Sequence, residues 1–281
     1  MLKVKRTVLV VGAIFGALGF VGPVARGDDK SPLRHTFRTH KASDLIGKAV
    51  ENTRGERLGE VQDLAIDAQR GRVAYAVLSF GGFLGMGEKW FAVPTGALTL
   101  PEDGKHFVLA VEKDRLKNAS GFDKDRWPKM EDTTWGTGIH EFYGTEPYWI
   151  GAGDGSTPSD LRIQKASDII GRTVQNDRGE KLGEIKDLVI DTDRYQIAYA
   201  VLTFGGFLGM GDKLFAMPAG VLQMPGTGSY AVLTVDKDRL KTATGFDKNN
   251  WPNLADPTFA ATTYEFYGQK PYWTETDKSR P

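Results

Sequence analysis

The sequence predicts an all-β protein that consists of two tandem small antiparallel β-barrels, each with a short helical and aromatic C-terminal extension. Three observations support this fold class: a long internal repeat, short runs of β-branched and aromatic residues bounded by glycine-rich turns, and an ordinary soluble composition of 40% hydrophobic and 26% charged residues. The 281 residues suffice for about two domains of ~100–200 residues each. Because the chain has no cysteine, the predicted barrels must be stabilised by their apolar cores alone.

The internal repeat has a constant offset of 124 residues and no gap. Residues 41–149 align with residues 165–273, and 64 of these 109 positions are identical in the second copy. Solenoid repeats have periods of only ~20–50 residues, so a period of this length indicates two whole domains. The other segments are named here by their composition: a polar leader at 28–40, a Gly- and Ser-containing linker at 150–164, and a polar C-terminus at 274–281.

Each copy contains several short strand signals. In the first copy, residues 73–80 are rich in β-branched and aromatic residues and lie between two turns. A second run, residues 89–93, ends at Pro94, which lacks the N–H donor that a continuing strand needs. A third run covers residues 106–111.

The longest predicted strand, residues 57–67, interrupts its own period of two. Leu64 and Ile66 have strand spacing, but Val61 and Leu64 are three apart. A bulge near Asp63 would return the apolar side chains to one face and would supply the bend that a small barrel needs. Only residues 113–118 have a helical pattern, of one or two turns.

The first 27 residues have the features of a signal peptide. A basic start, Lys3 to Arg6, precedes an uncharged apolar segment at residues 7–22. Ala25 and Gly27 then place small residues at the two positions that a signal peptidase reads. An uncleaved membrane anchor is the alternative, but the apolar segment is shorter than the ~20 residues that a spanning helix needs. We therefore expect an exported protein, periplasmic or extracellular, with membrane contact only if the segment stays in place.

The order of these motifs resembles the PRC-barrel family, named after the photosynthetic reaction centre. The segments that carry the resemblance are Ala42–Gly47, Gly55–Val61, Asp63–Asp67, Tyr75–Leu78 and Phe91–Pro94, and they recur between Ala166 and Pro218. The resemblance covers roughly residues 41–117 and 165–241. It implies a small antiparallel barrel that serves as a protein-contact module and has no shared catalytic site. We do not expect the additional N-terminal domain of the family's ribosome-maturation factors here, and we expect the N-terminal segment to be cleavable, unlike that of the reaction-centre subunit.

The glycine-rich loop at residues 81–88 does not fit a phosphate-binding loop. Glu88 and Lys89 stand where Lys and Ser or Thr are required, and a strand follows where a helix is needed. A long hairpin loop is the better interpretation. Its apolar residues either fold over the barrel mouth or form an exposed contact patch; these residues are Phe83 and Leu84, with Phe207 and Leu208 in the second copy.

Histidines and carboxylates are the other side chains that could carry chemistry. None of the four histidines, His35, His40, His106 and His140, recurs in the other copy, so no shared site uses one. Carboxylates do recur, among them Glu60, Asp63 and Asp67 as Glu184, Asp187 and Asp191. They could bind an ion, but nothing nearby completes a calcium cage of ~6–8 oxygens, so turn and bulge capping is favoured.

The aromatic tail of each copy has three interpretations: a strap on its own barrel, a strap that joins the two copies, or a stacking surface for a sugar or another ligand. The first is preferred, and the tail residues kept as candidate partner contacts are Tyr148, Trp149, Tyr272 and Trp273.

The functional expectation is a non-enzymatic scaffold or adaptor of the cell envelope that binds an unknown protein or envelope partner, with no catalytic residues, cofactor or metal. Lysine plus arginine equals aspartate plus glutamate, at 36 each, which disfavours nucleic acid. The alternative is a ligand- or metal-ion-binding sensory module in which the carboxylates or the aromatic tails form the site. An enzyme is disfavoured because no set of catalytic roles can be filled.

Overall fold

The computed structural model describes residues 37–80, 89–150, 160–204, 213–225, 228–235 and 237–273. The elements of the first copy are β1 (Thr39–Lys41), α1 (Ala42–Leu45), β2 (Ala49–Glu51), β3 (Arg57–Asp67), β4 (Arg72–Phe80), β5 (Lys89–Pro94), β6 (Leu98–Thr99), β7 (Phe107–Leu109), α2 (Lys113–Leu116), β8 (Phe122–Asp123) and α3 (Thr133–Tyr143). Those of the second copy are β9 (Ile163–Lys165), α4 (Ala166–Ile169), β10 (Thr173–Gln175), β11 (Lys181–Asp191), β12 (Gln196–Phe204), β13 (Lys213–Met217), β14 (Leu222–Gln223), β15 (Tyr230–Leu233), α5 (Lys237–Lys241), β16 (Phe246–Asp247) and α6 (Pro257–Phe266). A 3-10 turn precedes β6 and another precedes β14.

The long hairpin β3–β4 is the centre of the first copy, and β11–β12 is its equivalent in the second. The predicted bulge is confirmed: the β3–β4 register shifts between Val61 and Asp63, and again between Ala65 and Ile66. Gly59 allows the two strands to approach, because a Cβ at this position would lie only 1.8 Å from the carbonyl oxygen of Ser79. The bulges bend the hairpin and place the apolar side chains of both strands in the core.

The β fold is confirmed, but two separate barrels are not. The described strands form one curled 16-stranded sheet in which β12 of the second copy pairs with β4 of the first. The pair at this junction is Gln196 with Arg72, which are equivalent positions of the two copies. The described residues of the two copies accordingly belong to a single compact unit.

The two copies exchange their first strands. Strand β1 pairs antiparallel with β11, and β9 pairs antiparallel with β3 in the equivalent register. Each first strand thus completes the sheet of the other copy. In such reciprocal contacts, each copy uses the same residues to contact the other, as in a two-fold symmetric interface.

Two predicted boundaries change because of this exchange. The polar leader ends earlier than residue 40, since Phe37 is buried and β1 begins at Thr39. The linker likewise ends before residue 164, since Leu161 is buried and β9 begins at Ile163. The described ends of the two segments, residues 37–40 and 160–164, belong to the interface between the copies.

The expectation of a single short helix near residue 113 is incomplete. That helix is present as α2, but the tails contain the longer helices α3 and α6. The Asp132 carboxylate caps α3 by accepting from the backbone N–H of Thr134 at 2.8 Å, and Gly144 ends it in the left-handed conformation. In the described residues, no helix is long and apolar enough to span a membrane.

Candidate functional site

The most closely built polar site lies where the copies exchange strands. Asp63, at the β3 bulge, is 4% exposed and accepts hydrogen bonds from the Ser167 hydroxyl at 2.5 Å and the Ser167 N–H at 3.2 Å. Asp187, at the β11 bulge, is 5% exposed and accepts the same two bonds from Ser43, at 2.5 and 3.3 Å. We call these two pairs the serine–aspartate clamps.

The clamps explain why these bulges carry aspartate. Each carboxylate also accepts a bond from the next backbone N–H, of Leu64 or Leu188, at 2.8 Å. Burial raises the pKa of Asp187, and the Ser43 hydroxyl and N–H oppose this rise by bonding to the charged form. The clamps therefore satisfy two nearly buried carboxylates and join the copies at two equivalent points.

A second pair of buried carboxylates ties each aromatic tail to its own copy. Asp67 is fully buried, forms an ion pair with Arg70 at 3.1 Å and accepts a bond from the Tyr148 hydroxyl at 3.0 Å. In the second copy, Asp191 has the same two partners, Arg194 at 3.1 Å and Tyr272 at 2.9 Å. Burial, followed by the nearby aspartate, raises the pKa of both tyrosines, so both hydroxyls stay protonated and donate.

The tail tryptophans are core residues, which corrects their assignment as partner contacts. Trp149 is 5% exposed and Trp273 is 8% exposed. The Trp149 ring packs at 5.1 Å from the His140 ring on α3, and Trp273 packs at 4.9 Å from the Tyr264 ring on α6. Indoles held in this way cannot form an exposed contact surface. Together with the bonds of Tyr148 and Tyr272, they make the tail a strap on its own copy.

Other tail residues join the two copies, so the second interpretation also holds in part. The Lys165 ammonium lies 4.5 Å from the Trp127 ring centroid, and Lys41 lies 4.2 Å from that of Trp251. The Phe37 ring meets Trp273 at 4.7 Å. These cation–π and aromatic contacts surround the exchanged strands and extend the interface.

The recurring carboxylates do not gather into one site. Glu60 and Glu184 form surface ion pairs with Arg57, Lys181 and Lys186, while the aspartates occupy the two separate arrangements above. Across the described residues, no three His, Asp or Glu side chains are grouped as a metal ion would need. The predicted loop residues Phe83, Leu84, Phe207 and Leu208 lie outside the described residues, as does His35.

His140 is the one histidine of the described residues that the fold buries. Burial, and then the charge of Arg72, lowers its pKa to about 4. Its Nδ1 lies 2.8 Å from the Thr145 hydroxyl, and Nε2 has no hydrogen-bond partner. The second copy has Tyr264 here, whose hydroxyl donates to the Ala198 carbonyl at 2.9 Å.

Sequence reasoning named the clamp aspartates but missed their partners. The signal was present: Ser43 and Asp63 recur together at Ser167 and Asp187. A serine that bonds to the aspartate of the other copy must be present in both copies, and so must a serine that bonds to the aspartate of its own copy. The pattern alone could not distinguish these cases.

Comparison with known proteins agrees with the duplicated architecture. The sequence model of one family, described as PRC-barrel domain, matches residues 37–116 and again residues 163–240. The two matches begin before β1 and at β9, so the family pattern includes the strands that are exchanged. No curated protein matches the sequence.

Proposed function

Because the chain belongs to the PRC-barrel family, with one family domain in each copy, we propose that it is a non-enzymatic scaffold whose two copies present equivalent contact surfaces to a protein partner. The observation that carries the proposal is the reciprocal exchange of β1 and β9. The exchange joins the copies in one sheet. Any surface that both copies carry is therefore presented to a partner twice, and the distance between the two equivalent surfaces is fixed.

The use of the buried polar groups supports a binding role rather than chemistry. The aspartates of the clamps and of the tail contacts are engaged by hydroxyl, backbone N–H or guanidinium groups of the fold itself. None of these four aspartates lines the large cleft beside the β3–β4 turn or the smaller cleft beside Trp127. The tail aromatics are likewise engaged internally. These bonds favour a scaffold over an ion site built from the four aspartates.

The contact surface we propose is the pair of glycine-rich loops. Phe83 and Leu84 recur unchanged as Phe207 and Leu208, within a loop whose seven central residues are identical in the two copies. Apolar residues kept in a glycine loop of a binding family are suited to a contact patch. Two such patches on one chain predict avidity, with a gain of ~10²–10⁴ over a single patch when the partner is itself multivalent.

The test is capture of partners from an envelope fraction by wild type and by variants whose folding is checked by circular dichroism. The double variant Phe83→Ser, Phe207→Ser should lose a partner that the wild type retains, and each single variant should bind it with intermediate strength. Ile150→Ser is the matched control, because Ile150 is a 65% exposed apolar residue outside the loops. A partner retained equally by the double variant would refute the loops as the contact surface.

We also propose that the protein is exported to the cell envelope, on the basis of its first 27 residues. N-terminal sequencing of protein recovered from the exported fraction should give Asp28 as the first residue. Protein that remains in the cytoplasm with its first residues intact would overturn export, and would leave the scaffold proposal to be judged by the capture experiment.

A further inference from the structure

A cleft of about 700 Å³ opens on one side of the interface between the copies. It lies between the β3–β4 turn of the first copy and the 3-10 turn before β14 of the second. Three cationic side chains line it, Arg70, Arg162 and Lys270, together with the amides of Gln69, Gln223 and Gln269. The described residues that line it include no aspartate or glutamate.

The two-fold relation of the copies predicts an equivalent cleft on the other side, but a tyrosine fills that position. Tyr195 occupies the place equivalent to Gly71, and its hydroxyl donates to the Leu98 carbonyl across the interface at 2.9 Å. The backbone at this position has the same left-handed conformation in both copies, with φ of 53° at Tyr195 and 59° at Gly71. The cleft is therefore open on one side because a side chain is missing there, and not because the backbone differs.

The two sides also differ in charge: an arginine is paired with an aspartate on the closed side and, within the described residues, its equivalent on the open side is not. On the closed side, Arg38 forms an ion pair with Asp193, with its Nε at 2.7 Å from the carboxylate. On the open side, Arg162 takes the place of Arg38, but Gln69 takes the place of Asp193. Arg162 has no ion-pair partner among the described residues.

A second charge changes at the rim. Lys270 of the open cleft stands where the first copy has Glu146, and it too has no ion-pair partner in the described part of the chain. Arg70 is already paired with Asp67 and contributes donors rather than net charge. The net charge of the open cleft thus comes from two uncompensated cations beside several amide groups.

We propose that this cleft is a binding site for a small organic anion that carries carboxylate or phosphate groups. Its volume is within the ~300–1,000 Å³ range of small-molecule sites. Guanidinium, ammonium and amide groups all donate to oxyanions, and a site bounded by two protein faces strengthens such bonds by excluding water. The aromatic and apolar part of the lining, Tyr264, Tyr272 and Met224, suits an organic body better than a bare inorganic ion.

The test is isothermal titration calorimetry of the purified protein at low ionic strength, with citrate as a carboxylate probe and adenosine monophosphate as a phosphate probe. We expect one site per chain for at least one probe, and affinity that falls as salt is added. Binding of citrate alone would identify a carboxylate site, and binding of the nucleotide alone a phosphate site. If neither binds at millimolar concentration, the proposal is overturned.

Variants that copy the closed side locate the binding. Gly71→Tyr should fill the cleft and abolish binding, since the same residue is accommodated at Tyr195 and a Cβ at Gly71 would meet Ala219 at an ordinary 3.7 Å. Lys270→Glu, which copies Glu146, should weaken binding by roughly tenfold or more. Lys248→Glu changes an exposed lysine outside the cleft by the same charge and should bind like the wild type.

The proposal stays testable even if one variant does not fold. Should Gly71→Tyr fail to fold, Lys270→Glu and Gln69→Asp, which copies Asp193, carry the test. Probe binding that survives in these charge variants as fully as in Lys248→Glu would place the anion elsewhere and refute the cleft.

Discussion

The serine–aspartate clamps make a quantitative prediction about how the copies depend on each other. In Ser43→Ala, the carboxylate of Asp187 loses its hydroxyl donor while remaining 5% exposed. A hydrogen bond to a charged group contributes about 1.5–3 kcal/mol. Because Ser43 lies at the surface and water can partly replace its hydroxyl, we take the lower end, about 1.5 kcal/mol for one clamp.

The second clamp is equivalent and shares no residue with the first. Ser167→Ala should therefore cost the same, and the double variant about 3 kcal/mol in total. For a protein of this size, that loss lowers the midpoint of thermal unfolding by roughly 6–12 °C.

Differential scanning calorimetry checks both the size and the cooperativity of the effect. Since Ser43 belongs to the first copy and Asp187 to the second, the substitution should shift one common transition of both copies. Ser120→Ala removes an exposed hydroxyl outside the interface and should stay within about 0.5 kcal/mol of the wild type. Two separate transitions, with only one shifted by Ser43→Ala, would refute the interlocked arrangement.

Two further predictions concern single buried positions. The pKa of His140 is about 4 in the folded protein and 6.5 in the unfolded chain, so the unfolded chain binds the proton first as the pH falls, and up to about 3 kcal/mol of the stability present above pH 6.5 should be lost between pH 6.5 and 4. The variant His140→Tyr, which copies Tyr264, should lack this loss when urea unfolding is measured as a function of pH. A variant with the same pH profile as the wild type would contradict the assignment to His140. Gly59→Ala places a Cβ at 1.8 Å from a backbone oxygen and should lower the free energy of unfolding, measured in urea, by more than about 3 kcal/mol. Gly138→Ala on α3 is the control: no atom lies within 4 Å of its added Cβ, so this variant should be neutral or stabilising by up to about 1 kcal/mol. Equal effects of the two substitutions would show that the steric argument fails.

The features that the sequence predicted are those set by local pattern. The break in period between Val61 and Leu64 predicted a bulge because burial of one face requires it, and the register shift lies at that point. Turn residues and Pro94 marked the ends of strands because they act on the backbone of their own segment. The repeat itself required only comparison of the chain with its second half.

The features that the sequence did not predict depend on distant partners. The exchange of β1 and β9 involves short strands whose own pairing preference is the same for either copy. Helix α3 was missed because Gly136 and Gly138 lower its helix propensity, although the Asp132 cap and Gly144 were readable signals. The tail tryptophans were kept as contacts because composition alone does not distinguish a buried indole from an exposed one.

The tandem arrangement explains how the copies can be identical at one place and different at another. Each clamp takes its serine from one copy and its aspartate from the other, so both residues must be present twice for both clamps to form. Each side of the interface also combines the turn of one copy with the connection of the other, but the two sides need not match. In a dimer of identical chains, Gly71 would open both sides and Tyr195 would close both. Fusion of two copies in one chain removes this constraint, so one side can be closed by Tyr195 and contribute to stability while the other remains open to a ligand.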